Sequence, residues 1–344
     1  MALSFSKERV LVMGALGGRW SAKERKEAGC WETGIYAWAY AFDGDYTQYD
    51  LVKDSDIRNY DIIIANTNYT DGKLFARQIH LANQRRADAK WVALVEGCAS
   101  DYTRPMKLLR ELFAASDFVN VINKRTVAFF RTLTATRVEY LGIPYPVENV
   151  QAYYKPIQNR IKKALICSRL LNRQNDYLVA KQLGINYYGY ERRIPRKLPN
   201  IMKLLCEYHS IKREGPLLKA NYLYEDKQLE IRHEVPAELF YKHNASAWMW
   251  INLDDRYTWG RYVLDAAALR IPIITTRSTG HGEDLFPETT LEDEFQVDKA
   301  VAIGKRLLCD PDFYHYVATY PIGKMEHLKH QPMRIKLLEF LSGK

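Results

Sequence analysis

The segment Ser246–Phe286 reads SAWMWINLDDRYTWGRYVLDAAALRIPIITTRSTGHGEDLF, and its pattern decides the fold class. Ala247–Leu253 is an apolar, aromatic-rich run of strand length, which predicts a buried β-strand. Arg261–Leu269 has apolar residues at helical spacing and consecutive alanines, which predict a short helix. Pro272 cannot continue that helix, and residues 271–276 predict a second buried strand. Strand, helix and strand in this order form one βαβ unit of a parallel sheet.

The loop between the first strand and the helix is the place where we expect a ligand. In parallel α/β sheets, ligands bind where strands end and helices begin, and a helix N-terminus favours an anion. Thr258, Gly260 and Arg261 stand at this position. Asp265 follows about one turn later, on a helix otherwise made of core-type residues. This carboxylate either binds the ligand or faces solvent on an ordinary core unit.

The residues T-W-G-R-Y-V-L-D-A-A-A-L-R-I-P-I-I-T-T resemble the donor-site segment of GT-B glycosyltransferases, notably family 4. The common form in that family is E-G-F-G-L-V-x-L-E-A-M-A-x-G-x-P-V-I-A-T. The resemblance implies that Gly260 takes the place of the second glycine. It also implies that Asp265 takes the place of the second glutamate, which binds the nucleotide ribose. The first glutamate falls on Tyr257, which departs from the family pattern.

The next residues, T-R-S-T-G-H-G-E-D-L, are similar to the family's T-x-x-G-G-x-x-E-x-V/I. This similarity implies that Gly280 and Glu283 lie at the donor sugar. Earlier in the chain, the region from Lys162 to Asp176 is similar in part to V-G-R-L-x-x-x-K-G-x-D-x-L, which opens the second domain of the family. The match implies that Arg169 and Arg173 hold the donor diphosphate. Guanidinium groups suit this task because they pair bidentately with phosphate oxygens and keep their charge.

Length and composition limit the possible architectures. A chain of 344 residues with 47% hydrophobic content suits two domains of ordinary size. It has no run of eighteen or more apolar residues and no segment that resembles a signal peptide, so we expect no transmembrane helix. The 5 cysteines are scattered, without a C-x-x-C pair, which disfavours a disulfide framework or a zinc site and favours a reducing cytoplasm.

The formal net charge of +9 favours an anionic partner, such as a nucleotide diphosphate, an anionic lipid surface or a nucleic acid. The same charge also occurs in proteins that carry it for solubility alone. A basic stretch with interleaved aromatic residues runs over residues 192–219. It is either a contact surface for an anionic acceptor or a solvated helix and loop face.

The first 150 residues alternate between apolar strand-like runs and helical runs, which predicts an open parallel α/β sheet. A Gly-rich loop follows the first strand, and we expect Gly17, Gly18 and Arg19 to lie beside a phosphate or sugar. Residues 21–29 are charged and predict a loop. The strand over residues 91–95 delivers Glu96 at its carboxyl end, with Asp101 close behind.

Glu96 is a candidate general base, because an inverting sugar transfer needs an acceptor for the proton of the attacking hydroxyl. Asp101 is a second candidate, and Arg169 is the candidate for stabilising the leaving group. The alternative for Glu96 is a structural loop carboxylate or helix cap. Asp43-Gly-Asp45 has the spelling of a D-x-D metal site but lies in a turn-like segment, so we expect arginine rather than a metal to neutralise the diphosphate.

The resemblance implies a GT-B architecture, with two facing Rossmann-like domains, parallel sheets and an interdomain cleft. We assign residues 1–150 to an acceptor-side domain, 151–320 to a nucleotide-sugar-binding domain and 321–344 to a helix that returns to the first domain. Prolines and polar residues over 144–156 predict the linker.

The expected activity is metal-independent glycosyl transfer from a UDP- or GDP-sugar, which is a substrate rather than a cofactor. The acceptor is a glycan, a glycolipid at the membrane surface or a modified DNA base. We expect a cytoplasmic location, with peripheral membrane association left open. Three alternatives remain: a phage-type DNA base glycosyltransferase, a nucleotide-sugar epimerase, and a non-catalytic nucleic-acid-binding protein.

Overall fold

The computed structural model describes residues 8–15, 17–67, 72–97, 102, 106–167, 174–191, 226–233 and 235–343. Contacts divide the chain into two compact units. The first comprises Met1–Asn149, Arg256–Arg261 and Gly323–Lys344, and the second comprises Val150–Asp255 and Tyr262–Ile322. Each unit contains one predominantly parallel sheet with helices, so the prediction of an α/β fold with two Rossmann-like domains is confirmed.

The first unit is built on a seven-stranded sheet in the order β2-β3-β1-β4-β5-β6-β7. Its strands are β1 Val10–Gly14, β2 Arg19–Ser21, β3 Asp45–Gln48, β4 Ile62–Thr67, β5 Lys90–Val95, β6 Phe118–Val121 and β7 Val138–Tyr140. All neighbours are parallel except β2, which pairs antiparallel with β3 at one edge. After β3, the chain crosses to the other side of β1. The switch point of the sheet therefore lies between β1 and β4.

Helices surround this sheet, and the parallel strands are buried, as expected when both faces are covered. The helices of the first unit are α1 Ala22–Glu27, α2 Tyr36–Phe42, α3 Asp54–Ile57, α4 Gly72–Gln84, α5 Met106–Ala114, α6 Val127–Arg131, α7 Val147–Gln151, whose last two residues are grouped with the second unit, and the C-terminal helix, His330–Leu341.

Two predicted loops are helical in the structure. Residues 21–29 contain α1, since alternating Lys, Glu and Arg are good helix formers and Ala22 buries itself against the unit. The predicted linker contains α7, where Val147 and Val150 are buried. In each place only one or two buried residues hold a short helix. So few apolar positions do not produce a periodic pattern in the sequence.

The second unit is built on a six-stranded, fully parallel sheet in the order β10-β9-β8-β11-β12-β13. Its strands are β8 Ile161–Ile166, β9 Asn186–Glu191, β10 Leu229–His233, β11 Ala247–Asn252, β12 Ile273–Thr276 and β13 Thr290–Leu291. Among the described residues, its helices are α8 Gln174–Gln182, α9 Ala237–Asn244, α10 Arg261–Ala268, which begins with a residue grouped with the first unit, α11 Gly282–Leu285, α12 Val297–Cys309 and α13 Pro311–Thr319; the C-terminal helix is therefore α14. The predicted βαβ unit is β11, α10 and β12, with Trp250 paired to Ile273. The switch point lies between β8 and β11.

A buried arginine fastens the end of α10 inside the second unit. Arg160 is 8% exposed, and its guanidinium donates to the carbonyl oxygens of Leu269 at 3.0 Å and Arg270 at 2.8 Å. It also donates to the Tyr314 hydroxyl at 2.9 Å. A cation at a helix C-terminus satisfies the last carbonyl groups and complements the helix dipole. Arg160 therefore stabilises the turn between the helix and β12.

The Gly-rich loop after β1 packs against tyrosine rings of its own unit. A Cβ added to Gly14 would overlap the Tyr46 hydroxyl, and one added to Gly17 would lie 3.0 Å from the Tyr36 hydroxyl. A Cβ on Gly18 would meet nothing within 4 Å, although its φ of +69° is in the left-handed region. The glycines at positions 14 and 17 are therefore explained by packing against aromatic side chains.

We expect Gly14→Ala to destabilise the protein by about 1–3 kcal/mol, since it overpacks a site where the Tyr46 ring is buried. Tyr46→Phe removes the overlapping oxygen and should restore much of the loss when combined with Gly14→Ala. Gly18→Ala is the matched control and should cost only about 1 kcal/mol, for the left-handed backbone. Urea unfolding measures all four variants. Additive losses in the double variant would contradict the packing explanation.

His330, at the start of α14, is half-buried within the first unit. Its ring stacks on Tyr40, with centroids 6.4 Å apart. The Lys26 ammonium group donates to the Tyr40 carbonyl at 2.6 Å. Burial, with a smaller contribution from Lys26, lowers the pKa of His330 from 6.5 to about 4, while Glu148 and Asp43 oppose the shift. The folded protein therefore favours the neutral ring.

Because the pKa of His330 is lower in the folded chain than the ordinary value of 6.5, stability should be lost as the pH falls from about 6.5 to about 4. We expect this group to contribute about 1–3 kcal/mol to that loss. His330→Phe should reduce the loss of the free energy of unfolding at low pH by this amount. His327→Phe, at an exposed position nearby, should not. Urea unfolding at pH 7 and pH 4.5 measures the difference. Equal acid losses in wild type and His330→Phe would refute it.

Candidate functional site

The switch point of the second sheet has buried polar residues at its rim. β11 runs into Leu253 and Asp254, and Asp254 is 5% exposed. Asp176, in the first turn of α8, is fully buried and accepts a hydrogen bond from the Leu253 N–H at 2.6 Å. This bond ties the end of β11 to the start of the helix that follows β8. The sequence analysis missed Asp176, although an acid in the first turn after a strand is a signal for such a contact.

The carboxyl end of β12 supplies hydroxyl groups to the same rim. The Thr276 hydroxyl donates to the Asp254 carbonyl at 2.5 Å, and the Ser278 hydroxyl contacts the same oxygen. Thr275 donates to the Asn252 carbonyl at 3.1 Å. These bonds give side-chain donors to backbone carbonyl groups at the carboxyl end of β11. The loop after β11 is thereby held against the loop after β12.

Asp265 lies on α10 and is fully buried, so the interpretation of a solvent-facing residue is wrong. Its Oδ1 accepts a hydrogen bond from the Tyr241 hydroxyl at 2.9 Å, and Tyr241 is itself fully buried on α9. A buried carboxylate is costly unless polar groups compensate it, and the tyrosine supplies one such group. Tyr241 was missed because nothing in the sequence connects it to a residue 24 positions away.

The residues expected at the start of α10 are grouped with the first unit, whereas Asp265 belongs to the second. The Thr258 carbonyl accepts a hydrogen bond from Asn123 Nδ2 at 2.8 Å. Gly260 is buried with a φ of +80°, which brings the chain into the helix. Tyr257 is 41% exposed, and the Arg261 side chain is also exposed.

Gly280 and Glu283 lie at the end of the second sheet beyond β12. Gly280 is buried, and Glu283 is in the short helix α11. The Glu283 carboxylate pairs with Arg277 Nε at 2.8 Å, and Arg277 also pairs with Glu292. The helix forms because Leu285 is buried and because the first-turn acids favour the helix dipole.

In the first unit, the three loop residues predicted beside a ligand have different surroundings. Gly17 packs on tyrosine rings and Gly18 faces open space. Arg19 begins the edge strand β2, and its guanidinium pairs with Asp56 at 3.3 Å. Its side chain is 55% exposed.

Glu96 follows β5, which pairs with β4, the strand that borders the switch point of the first sheet, and Glu96 is exposed. Its Oε2 accepts a hydrogen bond from Asn66 Nδ2, at the end of β4, at 2.8 Å. The Tyr102 hydroxyl contacts the Glu96 carbonyl and lies 3.1 Å from the Thr67 carbonyl. The backbone and the side chain of Glu96 are therefore both held, while its carboxylate faces solvent.

Three predicted site residues, Asp101, Arg169 and Arg173, lie outside the described residues, as does the basic stretch over 192–219. Within the described part, no cluster of three or more His, Cys, Asp or Glu residues has the arrangement of a metal site. The acids of the D-x-D sequence are engaged separately, Asp43 with Lys26 and Asp45 with the Tyr60 hydroxyl. No helix among the described residues has the length and apolarity to cross a membrane.

No protein-family model matches the chain, and no curated protein matches it in sequence. Solved structures do match its fold over nearly the whole length. Trehalose-6-phosphate synthase from Burkholderia multivorans is 8% identical with a TM-score of 0.66, and the match covers 98% of both chains. HepE of Anabaena, solved with UDP-glucose, is 12% identical with a TM-score of 0.63, over 98% of this chain and 100% of HepE.

Sucrose-phosphate synthase from Thermosynechococcus elongatus is 11% identical with a TM-score of 0.63, over 98% of this chain and 99% of the synthase. These matched proteins are GT-B nucleotide-sugar glycosyltransferases. At such low sequence identity, the likeness concerns the arrangement of strands and helices. The chain therefore has the GT-B fold.

Proposed function

We propose that this protein is a glycosyltransferase that moves a sugar from a nucleotide diphosphate to an acceptor hydroxyl. The observation that carries the proposal is the buried Tyr241–Asp265 pair on the helices that flank β11, next to a switch point of a GT-B fold. A carboxylate is kept there in spite of its burial, where an alanine would suit the helix better. Such an acceptor group suits the hydroxyls of a ribose.

The donor in this proposal is a UDP-sugar, with a GDP-sugar as the second candidate. HepE, whose fold this chain shares, was solved with UDP-glucose. Asp265 accepts hydrogen bonds from the ribose, and Tyr241 sets the orientation of the carboxylate. Arg169, Arg173 and Arg261 are assigned to the diphosphate, and Gly280 and Glu283 to the sugar.

In the reaction, the bond from the anomeric carbon to the diphosphate oxygen breaks and a bond to the acceptor oxygen forms. The acceptor hydroxyl gives its proton to Glu96, and the nucleoside diphosphate leaves with the bonding electrons. The transition state has oxocarbenium character, as in glycoside hydrolysis. Arginine side chains stabilise the charge that develops on the leaving group, so we propose that the transfer needs no metal.

The acceptor is proposed to be anionic, because the chain carries a net charge of +9. A glycan, a glycolipid at a membrane surface and a modified base in DNA are the three classes to be tested, and we propose a cytoplasmic location. Cosedimentation with anionic vesicles identifies a lipid surface. Duplex DNA binding that weakens steeply with salt identifies DNA, because phosphate contacts release counterions.

The proposed function is tested by thermal shift with UDP, GDP, UDP-glucose and GDP-mannose, followed by an assay of donor hydrolysis. Stabilisation by one nucleotide series and release of its diphosphate support the proposal. A nucleic-acid-binding protein without activity would show no nucleotide-dependent shift. An epimerase would convert the sugar of its donor without any acceptor.

Asp265→Asn should weaken UDP-glucose binding about ten- to a hundredfold, because it removes the charge that accepts hydrogen bonds. Tyr241→Phe should weaken binding less, by about three- to tenfold, through lost orientation. Asp226→Asn is a matched control in the same unit, since Asp226 also accepts from tyrosine hydroxyls, at 2.8 Å from Tyr177. It should lower stability only. Calorimetric titration gives the dissociation constants, and wild-type affinity in Asp265→Asn would rule out the ribose role.

Glu96→Gln should lower the turnover number about a hundredfold or more, because an amide cannot take the proton of the acceptor. The affinity for UDP-glucose should stay within twofold of wild type. Glu111→Gln, at an exposed position on α5, is the control and should change neither quantity. Initial rates of diphosphate release and titration of UDP-glucose separate turnover from binding. Unchanged turnover in Glu96→Gln would end its role as the base.

A further inference from the structure

The side chain of Asn66, in the first unit, hydrogen-bonds to the side chain of Glu96. Asn66 is 7% exposed at the end of β4, a strand whose residues are all buried. Its Nδ2 donates to Oε2 of the exposed Glu96 at 2.8 Å. Its Oδ1 is buried and, within the part of the chain that the structure describes, accepts no hydrogen bond. The hydrogen bond that this side chain makes there therefore goes to the candidate base.

Asn120 in β6, which is separated from β4 by β5, shows what a structural asparagine does in the same sheet. Its Nδ2 donates to the Gly142 carbonyl at 2.8 Å. Its Oδ1 accepts from the Leu141 N–H at 3.2 Å and the Gly142 N–H at 3.0 Å. Asn120 thus satisfies backbone groups with both ends of its amide. Asn66 does not follow this pattern.

A buried amide oxygen without a donor costs about 1–3 kcal/mol, and an apolar residue in β4 would avoid that cost. Among the contacts that the described residues make, conformational stability therefore does not explain an asparagine at this position. An unsatisfied buried group needs an explanation, and a catalytic role is one such explanation. The group at the other end of the hydrogen bond is the exposed carboxylate of Glu96.

The backbone carbonyl groups of Asn66 and Glu96 are contacted by three buried side chains. Gln78, fully buried on α4, donates to the Asn66 carbonyl at 3.0 Å, and the Tyr49 hydroxyl contacts the same oxygen. Burial raises the pKa of Tyr49 well above its ordinary value, so its hydroxyl keeps its proton. The Tyr102 hydroxyl contacts the Glu96 carbonyl, directly after β5. The amide of Asn66 and the carboxylate of Glu96 are thus presented from two anchored strand ends.

We propose that Asn66 is a positioning residue for Glu96. Its amide N–H fixes Oε2, so that Oε1 takes the proton: the acceptor O–H bond breaks as the Oε1–H bond forms. A carboxylate only accepts hydrogen bonds, so Nδ2 rather than Oδ1 of Asn66 faces it. The neutral amide does not compete for the proton. This inference rests on the proposed function, in which Glu96 is the base.

The test compares Asn66→Ala and Asn66→Leu with wild type in the hydrolysis of UDP-glucose and GDP-mannose. We expect a ten- to hundredfold lower kcat with a KM within twofold of wild type, since misplacement of a reacting group costs about this much. The free energy of unfolding should be unchanged or higher in Asn66→Leu. In the Glu96→Gln background, Asn66→Ala should cause no further loss of kcat, because the two residues act as one unit.

Asn120→Ala is the matched control, and it should lower the free energy of unfolding while the kcat of the folded protein stays at the wild-type value. Three outcomes would overturn the assignment of Asn66 and leave the proposed function standing. They are wild-type kcat in both Asn66 variants, a full additional loss of kcat in the Glu96→Gln background, and unfolding of both variants. A wild-type protein that neither binds nor hydrolyses either nucleotide sugar would overturn the proposed function and this assignment together.

Discussion

Parallel pairing of strands places every carboxyl end of a sheet at the same edge, and both units of this protein depend on that constraint. In the first sheet the constraint brings Asn66 and Glu96 together, although 30 positions separate them. In the second, it brings the ends of β11 and β12 together, where hydroxyl groups of Thr276 and Ser278 hold the Asp254 carbonyl. The backbone pairing of the strands thus determines where in each unit the proposed site residues lie.

Two kinds of buried polar group can be compared among the residues that the structure describes. Arg160, Asn120 and Asp176 satisfy backbone carbonyl or N–H groups, and so their burial stabilises the connections between strands and helices. Asp265 accepts a hydrogen bond from a buried tyrosine, and Asn66 donates one to an exposed carboxylate. Because burial of polar groups is costly, we propose that these two residues are kept for binding and catalysis.

The Gly-rich loop after β1 illustrates how one pattern serves two purposes. Glycines after a first strand suit close approach of a ligand, yet Gly14 and Gly17 are required by the rings of Tyr46 and Tyr36. A side chain at either position would clash with these rings, which belong to strand β3 and helix α2 and are distant in the sequence. A sequence pattern that fits a ligand loop is therefore also a pattern for aromatic packing.

The sequence by itself determined the alternation of strands and helices, the βαβ unit around α10 and the two parallel sheets, because hydrophobic periodicity and proline positions act locally. It also placed Glu96 after a strand of the first sheet and Asp265 on the helix between β11 and β12. Only the tertiary structure decided their partners, Asn66 and Tyr241, and the grouping of Arg256–Arg261 with the first unit. Those pairings depend on strand order and register, which join residues far apart in the chain and leave no local signal.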